Sequence, residues 1–184
     1  MYWTQRELDK SSVATAYMDG SDPGILIGTL GTDSPAGIGI DFKAQRVFWV
    51  DSTRRYIGSV YFTGGGYAQF DMRRGYLPQH LGMNENGLYM AGSETGSEHN
   101  SEIFFKNRKD AEELVMHLPN VNITSFTIFS SASQPNYDRK NDCENHPCPG
   151  ICLLSGYTSF RCRCPLGAKS EENGITCAGG QSET

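Results

Sequence analysis

The chemistry-bearing residues that cluster closely are six cysteines: Cys143, Cys148, Cys152, Cys162, Cys164 and Cys177. They fall within the last third of 184 residues, separated by four, three, nine, one and twelve residues, and none occurs before Cys143. An even, dense set of this kind reads as a disulfide framework in an oxidising, extracytoplasmic setting. Zinc ligation is the competing chemistry. The tightest pair, Cys162-Arg163-Cys164, has one residue between its sulfurs, where structural zinc sites use two to four. Six cysteines allow fifteen pairings, and spacing alone does not choose among them. The remaining titratable residues form no recognisable catalytic group. His80, His99, His117 and His146 are scattered, and there is no hydrolase elbow, phosphate loop or metal triad. Gly64-Gly65-Gly66 has no following Lys-Ser and reads as a hairpin turn. Asp41, with Asn84 at the equivalent place, is too little for an acid–base pair. The expectation is a non-enzyme without a cofactor.

A stapled module at one end implies a larger, cysteine-free body before it, and 184 residues suffice for one ordinary domain plus a small one. The charge is mildly acidic, 16 basic against 21 acidic side chains. No basic footprint for nucleic acid is present. No window approaches a membrane span, and Met1-Tyr2-Trp3-Thr4-Gln5 does not read as a secretory leader. The expectation is therefore a piece of a longer secreted or surface chain. The body reads as short strands: Ile25-Leu26-Ile27, Ile38-Gly39-Ile40, Val47-Phe48-Trp49-Val50 and Ile57 to Phe62, with turn signals between them. Twenty-one glycines fit a turn-rich antiparallel architecture. Lys109 to Leu118 reads equally as a short helix or as a charged hairpin followed by a strand.

Two markers recur in step. Met1-Tyr2-Trp3-Thr4-Gln5 aligns with Val47-Phe48-Trp49-Val50-Asp51, 46 residues on, and more weakly with Leu88-Tyr89-Met90-Ala91-Gly92, a further 41. Pro35-Ala36-Gly37-Ile38-Gly39-Ile40-Asp41 precedes the second copy as Pro78-Gln79-His80-Leu81-Gly82-Met83-Asn84 precedes the third, and Pro119 falls 41 beyond Pro78. A unit of this length holding four short strands has the period of a propeller blade. A blade cannot bury both faces alone, so it stacks on its neighbours. The aromatic fills the gap between blades, and the carboxylate can accept backbone hydrogen bonds at the strand end.

These residues resemble the YWTD repeats of the low-density lipoprotein receptor-related family. Tyr2-Trp3-Thr4 keeps three of the four signature residues, with Gln5 in place of Asp. Phe48-Trp49-Val50-Asp51 keeps Trp and Asp, and the copy at Tyr89 has lost both. Asp19-Gly20-Ser21 resembles the family's turn between the last strands of a blade. The cysteine pattern, above all Cys162-Arg163-Cys164-Pro165-Leu166-Gly167, resembles an epidermal growth factor-like module. The resemblance implies the pairs Cys143–Cys152, Cys148–Cys162 and Cys164–Cys177. Asp142 and Glu144 flank Cys143, but Leu153 to Phe160 lacks the Asn or Asp of the calcium-binding modules, so no metal is expected. The implied fold class is mostly β: about three blades of a six-bladed propeller at 1–135, a linker at 136–141, the module at 142–178 and a disordered tail at 179–184. Ser133-Gln134-Pro135 resembles the exit from the last blade.

The expected function is a non-catalytic extracellular protein-binding scaffold, part of the ectodomain of an endocytic or signalling receptor anchored by a single span elsewhere. Its expected partners are extracellular proteins, not nucleic acid, and this segment does not itself enter a membrane. The alternatives are a secreted matrix protein resembling nidogen and an incomplete, non-functional gene fragment. Asn122-Ile123-Thr124 is the one glycosylation sequon. Arg54, Arg55, Tyr56, Arg73, Arg74 and Tyr76 are candidate surface contacts. Three blades with open ends also lead us to expect an isolated chain that is unstable or aggregates.

Overall fold

The computed structural model describes the whole chain except residues 8–9, 73, 97–98, 108–111, 131–140, 157–158 and 179–184. Among the described residues every regular element is a strand. The first sheet joins β1 (Tyr2–Gln5), β2 (Ser12–Thr15) and β3 (Gly24–Ile27) in sequence order. The second joins β4 (Pro35–Asp41), β5 (Arg46–Asp51), β6 (Tyr56–Tyr61) and β7 (Ala68–Asp71). The third joins β8 (Tyr76–Met83), β9 (Gly87–Glu94), β10 (Ser101–Asn107) and β11 (Glu112–Leu118). All pairings given for the second and third sheets are antiparallel, as two-residue alternation and short turns favour. The segment that read as helix or hairpin-then-strand is strand from Glu112 on; Lys109 and Ala111 lie outside the described residues. Gly64, Gly65 and Gly66 all take positive φ in the turn between β6 and β7.

The chain divides into two compact units. One comprises 2–14 and 25–136. Its apolar side chains collect in two clusters, as stacked sheets require. Val13, Val47, Trp49, Tyr56 and Val60 fill the gap between the first and second sheets. Val50, Ile57, Tyr76, Leu81, Leu88, Met90 and Phe104 fill the gap between the second and third. In the second sheet Ile38, Trp49 and Gly58 lie side by side across three strands. A Cβ on Gly58 would sit 2.3 Å from the indole, so glycine is what lets the ring lie flat on β6. At the same places in the third sheet stand Leu81, Met90 and Phe104. The large ring has moved one strand outward, where it packs edge-on against Tyr76 at 4.8 Å. Tryptophan plus glycine and methionine plus phenylalanine are two ways of filling the same space.

The other unit comprises Met1, 15–24 and 137–184. It contains two hairpins, β12 (Ile151–Ser155) with β13 (Ser159–Arg163) and β14 (Lys169–Ser170) with β15 (Cys177–Ala178). Disulfides join Cys143 to Cys152, Cys148 to Cys162 and Cys164 to Cys177, with Cα separations of 5.7, 5.3 and 5.7 Å. Cys162 is the one buried apolar side chain among the described residues of 137–184, so the bridges stand in for a core. Each closes a loop whose chain-entropy contribution is roughly 3 kcal/mol. Ser133-Gln134-Pro135, nearly all of the expected linker and the expected tail lie outside the described residues.

Candidate functional site

The strand-end carboxylate of the repeat gathers five donors in the larger unit. Asp51 closes β5 and is fully buried. One oxygen accepts from the Thr32 hydroxyl at 2.8 Å and from the N–H groups of Asp33 and Ser34 at 2.6 and 3.1 Å. The other accepts from the N–H groups of Thr53 and Arg54 at 3.1 and 2.8 Å. Burial alone would push this carboxyl's pKa up. The N–H groups of Arg54, Asp33 and Ser34, with the Thr32 hydroxyl, outweigh burial and hold it below the usual range. Asp51 therefore ties the chain entering β4 to the turn leaving β5. Tyr56 closes the same node: its hydroxyl donates to the Gly31 carbonyl, and burial, first among its causes, lifts its pKa to about 12.

The first copy of the signature behaves differently. Trp3 is 36% exposed where Trp49 is fully enclosed, and Gln5 is exposed where Asp51 is buried. Tyr2 stacks on Phe62 at 5.3 Å, and the Thr4 hydroxyl donates to the Ala36 carbonyl at 3.0 Å. Phe48 walls a cavity of about 220 Å³ with Asp41, Phe70, Met83, Leu88 and Lys106. Tyr89 packs on Phe105 at 4.7 Å.

The smaller unit has its own charged node. Asp19 accepts from the N–H and hydroxyl of Ser21 at 3.0 and 2.6 Å. Its second oxygen lies 3.3 Å from Arg161 Nε, an ion pair not aligned for a hydrogen bond. Arg163 donates to the Asp19 carbonyl at 3.0 Å. The Ser21 hydroxyl, then the Ser21 N–H, pull the Asp19 pKa down to about 2, with Ser155 and the Arg161 charge adding to them against burial. Alongside runs an open cleft of about 900 Å³ lined by Asp142, Glu144, His146, Arg161, Arg163 and Glu172 among others. Its charges are mixed, which suits polar protein contact. Among the described residues one group has metal-ligand spacing, His146 with Cys148 and Cys152, and both of its sulfurs are spent in disulfides.

Of the candidate contacts, Arg54 and Arg74 are exposed and Arg55 is half-buried, while Arg73 lies outside the described residues. Tyr56 and Tyr76 do not belong to that surface: both are buried, because each opens a strand whose first residue faces a neighbouring sheet. Adjacent arginines disguise them in the sequence; that each opens a strand, β6 with five consecutive buried residues, is the signal that could have found them. Nothing local points to Asp19 with Arg161 or Thr32 with Asp51, because the partners are far apart in the chain. Asn122 is exposed.

Stacked four-stranded sheets with an aromatic second strand, followed in the chain by a three-disulfide module, define a partial YWTD-type β-propeller with an epidermal growth factor-like module. Homologues in the low-density lipoprotein receptor family span most of the chain. It is 27% identical to the vitellogenin receptor of Solenopsis invicta over 96% of its length, and 30% identical to the vitellogenin receptor Yl of Drosophila melanogaster over 92%. It is 26% identical to low-density lipoprotein receptor-related protein 5 of Mus musculus over 96%. The chain spans about a tenth of each of these relatives: 10, 8 and 11%. No family model matches it. A chain in a crystal structure of a nidogen/laminin complex shares the fold, with a TM-score of 0.54 and 22% identity over 70% of this chain and 47% of that one.

Proposed function

We propose that this chain is a non-catalytic, extracellular protein-binding scaffold within a receptor ectodomain. One observation carries the reading: receptors match it across both the sheets and the disulfide module, over 92 to 96% of its length. The polar nodes support it. Asp51 is saturated by five donors within the fold, and Asp19 is held by Ser21 and Arg161. Groups so engaged build a rigid surface and are not poised for proton transfer. Among the described residues no helix is long and apolar enough to cross a membrane. Anchorage by a single span in another part of a longer chain is part of this proposal. Likeness to nidogen supports the architecture and names no partner.

The test is surface plasmon resonance on the oxidised chain, with purified vitellogenin and laminin as analytes. The receptor reading expects saturable binding of vitellogenin, abolished when the disulfides are reduced. Binding of laminin alone would move the chain to the matrix class. Binding of neither, with a transcript that ends without a membrane segment, would remove the receptor reading.

A further inference from the structure

We propose that the cavity of about 220 Å³ between the second and third sheets receives one aromatic side chain of a protein partner. The proposal rests on the protein-binding reading and names the partner's chemistry at one site. The cavity's walls belong to strands from β4 to β10, away from both ends of the chain, and the two sheets that enclose it have four strands each. Phe48, Phe70, Met83 and Lys106 are each half-buried, so the cavity is open to solvent, and Leu88 is buried.

The internal repeat identifies the occupant. Trp49 and Met90 hold the same repeat position, and pairing extends the equivalence: Val47 faces Val60 on β6 as Leu88 faces Lys106 on β10. Tyr2 of the first sheet corresponds to Phe48 of the second. In the gap between the first and second sheets, Val60 is buried, and Phe62 stacks on Tyr2 at 5.3 Å with Phe42 edge-on to it at 6.2 Å. In the gap between the second and third sheets, Phe48 stands in the place of Tyr2. The place of Val60 is taken by Lys106, and that of Phe62 by Arg108, which lies outside the described residues. A lysine stem carries its ammonium out toward water and leaves unfilled what valine and a ring close in the neighbouring gap. The cavity thus lies against Phe48 as Phe62 lies against Tyr2.

Size and wall chemistry both select a ring. An apolar cavity of about 150 Å³ takes benzene, so about 220 Å³ holds a ring with a substituent, such as a phenol or an indole. Phe48 and Phe70 offer ring surfaces for offset or edge-on packing. The Met83 thioether favours an aromatic neighbour. The Lys106 ammonium, 6.0 Å from the centre of the Phe70 ring, is complementary in charge to the negative face of a second ring. An aliphatic side chain would gain the burial and none of the other three contacts. Aromatic anchors seated in sockets of this kind carry much of the binding energy at protein interfaces.

The test uses the full oxidised chain and two readouts. First, p-cresol, the tyrosine side chain as a free molecule, is titrated into chain labelled at its methionine methyl groups and followed by NMR. The proposal expects a saturable shift of the Met83 methyl signal. Second, a random peptide library is selected on the chain. The proposal expects peptides rich in Phe, Tyr or Trp that p-cresol displaces, and that Met83→Phe, whose added ring fills the cavity, binds about tenfold more weakly or worse. Displacement by p-cresol is read on the unsubstituted chain, so it decides even where Met83→Phe fails to fold. A Met83 methyl that does not respond to p-cresol overturns the proposal. So do selected peptides that lack aromatic residues or that p-cresol does not displace, although these leave the protein-binding reading standing. A chain that takes p-cresol but selects no peptide also overturns it, as a socket without a protein partner. Only the further absence of vitellogenin and laminin binding counts against the protein-binding reading itself.

Discussion

Asp51 and Gln5 hold the same repeat position and do different work. Asp51 gathers five donors, so Asp51→Ala strands the buried Thr32 hydroxyl and four N–H groups, in buried or part-buried bonds, that were paired with a charge. We expect a loss of about 3 kcal/mol, measured by urea denaturation. At Asp19 the depressed pKa fixes the direction of a pH effect. Its contribution is fully present above the ordinary carboxyl value of 3.8 and fades as pH falls toward about 2. Asp19→Asn should therefore lower the melting temperature near neutral pH, and the gap to the parent chain should narrow between about pH 4 and pH 2 in scanning calorimetry. A gap constant with pH would show that the carboxylate's charge contributes nothing. Secreted from insect cells, the chain should carry one N-glycan, on Asn122, and lose it with Asn122→Gln on mass analysis. The carboxylate's role at Asp51 was legible in the sequence because an acid after an aromatic pair at a strand end has few other uses. The Asp19–Arg161 pair was not, because 142 residues separate the partners and no local pattern links them.

At the scale of elements, the two prolines set the sheets in register, and both β4 and β8 carry an irregularity just after them, between Pro35 and Ile38 and between Pro78 and His80. The recurrence of the prolines was legible because it lies in consecutive residues; the irregularities were not, because they exist only once the strands pair. The exchange of Trp49–Gly58 for Met90–Phe104 was not, because the compensating residues sit on different strands and only pairing brings them together. Gly58→Ala is the direct probe. The new methyl would fall 2.3 Å from a ring with no room to move, and we expect a loss at the upper end of roughly 1–3 kcal/mol. Urea denaturation followed by tryptophan emission reads it, and a neutral result would mean that the indole is not packed on β6. Residues 109–118 carried both helical propensity and strand length; pairing with β10 decided for strand from Glu112, since tertiary context overrides a short segment's propensity.

For the whole molecule, the two units differ in what holds them. The larger is held by two apolar clusters between sheets. The module leans on three disulfides around one buried cysteine side chain. The different character of the two stretches was visible in the sequence, because cysteines and β-branched runs do not overlap; the grouping of 15–24 with 137–184 was not, because no local pattern links them. The pairing of the cysteines was not visible from spacing, which leaves fifteen choices. Receptor-family matches span both stretches, so the account claims one scaffold of stacked blades and a stapled module. Amide hydrogen exchange of the chain, oxidised and then reduced, tests that claim most directly. The account predicts that β4 to β10 stay protected in both states, while β12 to β15 lose protection once the disulfides are reduced. Loss of protection across β4 to β10 on reduction, or a module that remains protected without its disulfides, would contradict it.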